Sequence, residues 1–190
     1  VLTWGSPGAA PGQLNEPWGV AVAPDGTVYV ADTWNHRIQA FSPTGQFLRT
    51  FGSFANVQFN AQAEPGKFWG PRGIAIDAAG NLYVTDTGNK RVQKFSPDGQ
   101  FLQAWGGGGI IPGAFEEPVG IDIDAQGNIY VADTWNRRVQ KFDPNFNPIL
   151  QWEVDGWESE SVVNKPFLAV GPDGRVFISD PEGYRIIAYT

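Results

Sequence analysis

Short apolar runs separated by turn residues dominate the hydrophobic pattern of this chain. Between residues 20 and 51, apolar and polar positions follow the spacing of strands and not that of helices. The turns contain Pro24-Asp25-Gly26 and Ser42-Pro43-Thr44-Gly45, in which proline, glycine and small polar residues favour chain reversal. We therefore predict an antiparallel meander with strands at Val20–Val22, Thr27–Ala31, Arg37–Phe41 and Gln46–Phe51.

This meander recurs along the chain. Its second hairpin is found at Tyr29–Phe41, Tyr83–Phe95, Tyr130–Phe142 and, in a diverged form, Phe177–Tyr189. The preceding turn glycines are separated by 54, 47 and 47 residues, and they are Gly26, Gly80, Gly127 and Gly174. A four-stranded sheet has two apolar faces, which neighbouring sheets around an axis can cover. We therefore predict an all-β fold, a β-propeller of four-stranded antiparallel blades.

The repeats resemble those of the NHL-repeat family in two motifs. The first reads Pro-x-Gly-Ile-Ala-Val and is matched, with exchange of Ile and Val, by Pro17–Val22, by Pro71–Ile76 and, with Asp122 in place of Ala, by Pro118–Ile123. The second reads Tyr-Val-Ala-Asp-x-x-Asn-x-Arg-Ile-Gln-x-Phe, and the first three hairpins follow it closely. The fourth hairpin departs from it, with Gly183 in place of Asn and Ile187 in place of Gln. The resemblance covers nearly the whole chain and implies a ring of about six blades.

A single propeller domain is predicted over residues 1–190. Its blades span 17–52, 71–106, 118–153 and 166–190, and the last lacks a fourth strand. Residues 1–5 resemble the fourth strands of blades 1 and 2, so they are predicted to form a closing or orphan fourth strand. The ring could be closed by these residues, belong to a larger ring, or be completed by a second chain as a homo-oligomer. An incomplete or oligomer-completed propeller is the favoured expectation.

An aspartate stands five residues before an arginine in every repeat. A carboxylate needed once for catalysis would not have to recur in each blade, whereas a carboxylate that fixes a hairpin would. It can accept the backbone N–H groups of the turn and pair with the arginine across the hairpin. We therefore predict a structural role for the pairs Asp32 and Arg37, Asp86 and Arg91, Asp133 and Arg138, and Asp180 and Arg185.

Catalytic and metal-binding residue types are scarce. The chain has no cysteine and one histidine, His36, which excludes thiolate metal sites, multi-histidine zinc sites and histidine-based triads. His36 is predicted to be a surface turn residue. Asp122 replaces the alanine of its sister inner strands and is a weak candidate for calcium binding. No catalytic residue and no cofactor is therefore expected, and a calcium-dependent hydrolase or lactonase is the alternative function.

Aromatic residues gather in the segments that should form one face of the propeller. Trp34 and Trp135 lie in hairpin turns where the second repeat has Gly88. The loops between blades should reach the same face and carry further candidates, namely Trp69, Arg72, Phe115 and Trp157, together with Phe54, Phe59 and Phe68. Exposed tryptophans are frequent in binding hot spots, although they can also serve as lids over loops. The predicted function is a non-enzymatic module that binds a protein, peptide or glycan on this face.

The charge of the chain distinguishes among the possible classes of partner. The formal net charge is -7, which disfavours binding to a phosphate backbone, so RNA binding is a third alternative. Arginines and lysines near the aromatic face share it with acidic residues, among them Glu116, Glu117, Glu158 and Glu160. No apolar run is long enough to span a membrane. From family habit we expect an extracytoplasmic scaffold module of a bacterial envelope protein.

Overall fold

The computed structural model describes residues 1–56, 64–157 and 165–190. Phe59, Glu158 and Glu160, which the sequence suggested for the aromatic face, lie outside these ranges. Fifteen strands form four antiparallel sheets within the described residues, and each sheet follows the chain in simple meander order. The predicted all-β propeller is therefore confirmed.

Blades 1 to 3 have four strands each, and blade 4 has three. Blade 1 consists of β1 (Pro17–Val22), β2 (Val28–Asp32), β3 (Arg37–Phe41) and β4 (Phe47–Phe51). Blade 2 consists of β5 (Pro71–Ile76), β6 (Leu82–Asp86), β7 (Arg91–Phe95) and β8 (Phe101–Gly106). Blade 3 consists of β9 (Pro118–Ile123), β10 (Ile129–Asp133), β11 (Arg138–Phe142) and β12 (Pro148–Glu153). Blade 4 consists of β13 (Leu168–Val170), β14 (Val176–Asp180) and β15 (Arg185–Tyr189).

Among the described residues the hydrophobic core forms three clusters, one between each pair of successive blades. In the first cluster, Tyr29 and Ile38 of blade 1 meet Ile74 and Leu82 of blade 2. The second cluster joins blades 2 and 3, and the third joins blades 3 and 4. Because burial of one large aliphatic side chain stabilises by about 1.5–3 kcal/mol, each blade depends on its neighbours.

The inner strand of blade 1 differs from its counterparts. Val20 is 66% exposed, whereas the equivalent Ile74 and Ile121 are 7% and 5% exposed because a preceding blade covers them. Residues 1–5, predicted as a fourth strand, form no strand in the structure. Trp4 instead packs on blade 1, with its ring centroid 6.3 Å from that of Phe41.

Candidate functional site

A buried aspartate fixes each hairpin turn between the second and third strands. The Asp32 side chain is fully buried and accepts hydrogen bonds from the Arg37 Nε at 2.7 Å and from the side-chain amides of Asn35 and Gln39. The corresponding aspartate–arginine pairs of blades 2, 3 and 4 have N–O distances of 2.8, 3.0 and 2.8 Å. In blades 1 to 3 these pairs stabilise a 3-10 turn, at Thr33–Asn35, Thr87–Asn89 and Thr134–Asn136.

The same carboxylates also hold the loop that arrives from the preceding blade. Asp86 Oδ1 accepts the backbone N–H of Trp69 at 2.7 Å, and Asp133 Oδ1 accepts that of Glu116 at 2.9 Å. Burial raises the pKa of Asp86 to about 6, against the opposing effect of the Arg91 charge. In blades 1 to 3 the aspartate therefore fixes the hairpin tip and the segment that precedes the blade together.

Trp34 and Trp135 occupy the middle positions of the first and third hairpin turns. Each is 46% exposed, so a large part of each indole faces solvent. The Trp34 Nε1–H donates to Glu16 Oε2 at 2.9 Å. The Lys165 ammonium lies 5.5 Å from the Trp135 ring centroid, within range of a cation–π interaction. Both indoles are thus held in place by a charged neighbour while part of their surface stays accessible.

Blade 2 has no side chain at this position, because Gly88 replaces the tryptophan. Trp69, from the incoming loop, lies over the turn instead, and the Gly88 N–H donates to the Trp69 carbonyl at 2.9 Å. A Cβ on residue 88 would lie 2.4 Å from the Trp69 ring, too close for any side chain. Gly88 is therefore required for Trp69 to occupy this place.

Trp34, Trp69 and Trp135 together line one open groove, which we call the tryptophan groove. Its volume is about 550 Å³. It is also lined by backbone at Gly70, Gly88 and Gly108, by Thr33 and Thr87, and by Arg72, Lys90, Glu116 and Glu117. The predicted residues Trp34, Trp69, Arg72 and Trp135 thus converge on a single surface feature built from three blades.

The charged residues of the tryptophan groove neutralise one another. Glu117 accepts hydrogen bonds from Arg72 at 3.1 Å and from Lys165 at 2.6 Å. Lys90 is paired with Glu116. The Arg72 guanidinium also stacks over Trp18, 4.5 Å from the ring centroid. Arg72 therefore positions the groove wall through these contacts, and the groove presents little net charge to a ligand.

Two of the predicted ligand-binding residues belong to the core. Phe115 is fully buried and packs against Phe142, and Trp157 is 6% exposed within the cluster between blades 3 and 4. Placing them on the ligand-binding surface was wrong, because the loops between blades fold inward over the ends of the core. Phe68 is buried in the same way, whereas Phe54 is 52% exposed.

His36 has a structural role that the prediction of a surface turn residue missed. Its Nδ1 accepts the backbone N–H of Gly70 at 3.1 Å, and its ring lies 4.8 Å from that of Phe54. Burial lowers the pKa of His36, which favours the neutral ring that this acceptor role needs. His36 therefore connects the blade 1 turn to the loop that carries Trp69.

The calcium candidate Asp122 serves as a link between two blades. Its Oδ1 accepts the N–H of Ile123 at 2.8 Å, and its Oδ2 accepts the N–H of Val170 in blade 4 at 2.7 Å. Over residues 1–56, 64–157 and 165–190, no group of three or more acidic, histidine or cysteine side chains could hold a metal ion. The same ranges contain no helix that is long and apolar enough to cross a bilayer.

In a comparison with protein families, residues 14–41, 68–95 and 115–142 each match the NHL repeat. The chain is 32% identical over 114 residues to human NHL repeat-containing protein 3, covering 55% of this chain and 31% of that protein. It is 32% identical over 104 residues to the Drosophila melanogaster protein brain tumor, covering 54% of this chain and 10% of that protein. This chain therefore spans less than a third of either relative.

Solved structures share the fold at low sequence identity. A streptogramin B lyase structure superposes with a TM-score of 0.63 at 15% identity, covering 95% of this chain and 56% of that one. A chain of a nidogen/laminin complex superposes with a TM-score of 0.62 at 20% identity, covering 91% and 60%. Each neighbour extends well beyond the matched part. The three matched repeats and the shared architecture identify this chain as a β-propeller that contains NHL repeats.

Proposed function

We propose that this chain is a non-enzymatic binding module that holds a protein or peptide partner in the tryptophan groove. The observation that carries the proposal is the convergence of Trp34, Trp69 and Trp135, from three blades, on one open surface. Partly exposed tryptophans held by their neighbours provide large contact areas at low entropic cost, as binding hot spots do. One structural neighbour comes from a complex between two proteins, which is consistent with this use of the fold.

The charges of the groove favour this partner over RNA. Its arginine and lysines are engaged by Glu116 and Glu117, so few cations are available to phosphates. A backbone of phosphates requires several unpaired cations for affinity. A protein surface needs only complementary apolar and polar groups.

The test is a binding screen with displayed peptides, a glycan array and single-stranded RNA. We expect selected peptides to bind the native chain and to lose at least tenfold in affinity when Trp34→Ala and Trp135→Ala are combined, because hot-spot truncations cost about 2 kcal/mol or more. The matched control is Tyr184→Ala, which removes an exposed aromatic from the corresponding turn of blade 4. Selective binding of a glycan or of RNA, or peptide binding that survives the double substitution, would refute the proposal.

A further inference from the structure

The tryptophan groove offers a ligand mainly flat aromatic faces and backbone. Its indoles come from three blades, and glycines 70, 88 and 108 keep side chains away from the surface between them. Such a surface fits ligands that present flat apolar faces, of which proline rings and sugar rings are the common biological examples. The hydrogen-bonding groups of the groove distinguish between proline rings and sugar rings as ligands.

Of the groove residues that the structure describes, two have indole N–H donors without a partner, and both carboxylates of the groove are paired with cations. An indole Nε1–H can only donate. Among the described residues, the Nε1–H groups of Trp69 and Trp135 have no acceptor, whereas that of Trp34 is bonded to Glu16. The carboxylates of Glu116 and Glu117 already pair with lysine and arginine. A sugar would have to share these paired carboxylates for its hydroxyl protons, whereas a peptide segment without free N–H groups needs no acceptor.

We infer that the tryptophan groove binds an uncharged, proline-rich segment of its partner in the polyproline II conformation. This inference rests on the proposed function and specifies its ligand. Proline lacks a backbone N–H, and the polyproline II helix makes no internal hydrogen bonds, so its carbonyls can accept from Trp69 and Trp135. Its rings pack on the indole faces, and its pre-formed backbone loses little entropy on binding. The charged side chains of the groove pair with one another, so the groove suits a segment that carries no charge.

The first test is a titration of the ¹⁵N-labelled chain with a ten-residue proline peptide, followed by indole N–H resonances. We expect the Trp69 and Trp135 signals to shift more than the Trp34 signal. The control is a peptide of equal length in which alternate prolines are replaced by alanine, which restores N–H groups and loosens the helix. It should bind at least several-fold more weakly.

The second test removes the indole donor while keeping an aromatic face. Trp69→Phe and Trp135→Phe should each lower the affinity for the proline peptide by roughly three- to tenfold, the loss typical of one hydrogen bond. Trp34→Phe is the matched control, because the Trp34 N–H is already bonded to Glu16, and its loss should be smaller.

The outcomes separate this inference from the proposed function. Equal affinity for the proline and alanine peptides, with binding still dependent on Trp34 and Trp135, would overturn the inference and leave the binding module intact. Failure of both peptides to bind, together with selective capture of a glycan, would overturn both. Unchanged affinity in the Trp69→Phe and Trp135→Phe variants would contradict the role of the indole donors.

Discussion

Blade 2 and its neighbours place an indole at the same face of the propeller by different routes. In blades 1 and 3 the tryptophan lies in the hairpin turn, as Trp34 and Trp135. In blade 2 it comes from the incoming loop, as Trp69, and the turn residue is Gly88. In blades 1 to 3 the hairpin aspartate holds both the turn and the preceding segment, so either can carry the aromatic. A shared scaffold therefore permits the groove to vary from blade to blade.

The largest effect is expected from Asp86→Ala, which removes the group that joins the blade 2 turn to the Trp69 loop. It leaves Arg91 without its carboxylate and the Trp69 N–H without its acceptor. Loss of one partner of a buried pair costs about 3–5 kcal/mol of unfolding free energy, measured by urea denaturation. Asp180→Ala is the comparison, because its carboxylate is equally buried but its partner Arg185 is 55% exposed and can be solvated when the carboxylate is gone, so the loss should be smaller. Equal losses in both variants would show that burial does not set the strength of these pairs.

A smaller effect is expected from Gly88→Ala, because the new Cβ must displace the Trp69 ring. Overpacking of this kind lowers the free energy of unfolding by about 1–3 kcal/mol. Peptide affinity should also fall, because the Trp69 indole is displaced from the groove. In a Trp69→Ala background the same substitution should cost little, since the ring it meets is gone. Denaturation of the native chain, the two single variants and the double variant gives the coupling energy between residues 69 and 88. A coupling near zero would mean that Gly88 has some other role.

The contrast between blades also explains what the sequence could predict. Strand positions, blade type and the aspartate–arginine pairs follow from residues that recur in every repeat, such as Asp32 and Arg37. Trp34 and Trp135 were identifiable because each stands at the middle position of a hairpin turn, where the second repeat has Gly88. Phe115 and Trp157 lie in loops of irregular length, where no periodicity indicates whether a ring points inward. The bond between His36 and Gly70 joins residues of different blades, and local sequence carries no signal for it.

His36 should make stability depend on pH in a narrow range. Its pKa is lowered by burial in the folded chain, while the unfolded value is about 6.5. The unfolded chain therefore takes up protons first as the pH falls, and the stability contributed by His36 is present above about pH 6.5 and decreases below it. The advantage of the native chain over His36→Gln in urea denaturation should shrink between pH 7 and 5. Asp86 has a raised pKa and changes stability in the opposite direction, but it is common to both chains and cancels in the difference.

The smallest predicted effect is that of salt concentration on the affinity for the peptide. Arg72, Lys90 and Lys165 each pair with a carboxylate, so binding of an uncharged peptide should release few counterions. We expect the dissociation constant to change by less than about twofold between 50 and 200 mM salt, whereas a ligand making several phosphate contacts would lose orders of magnitude. A steep salt dependence would mean that the ligand displaces Glu116 and Glu117 from their ion pairs. The groove would then bind an anionic ligand through the cations that these glutamates neutralise in the free protein. Glu116→Gln separates the two cases, because freeing Lys90 should strengthen binding only for an anionic ligand.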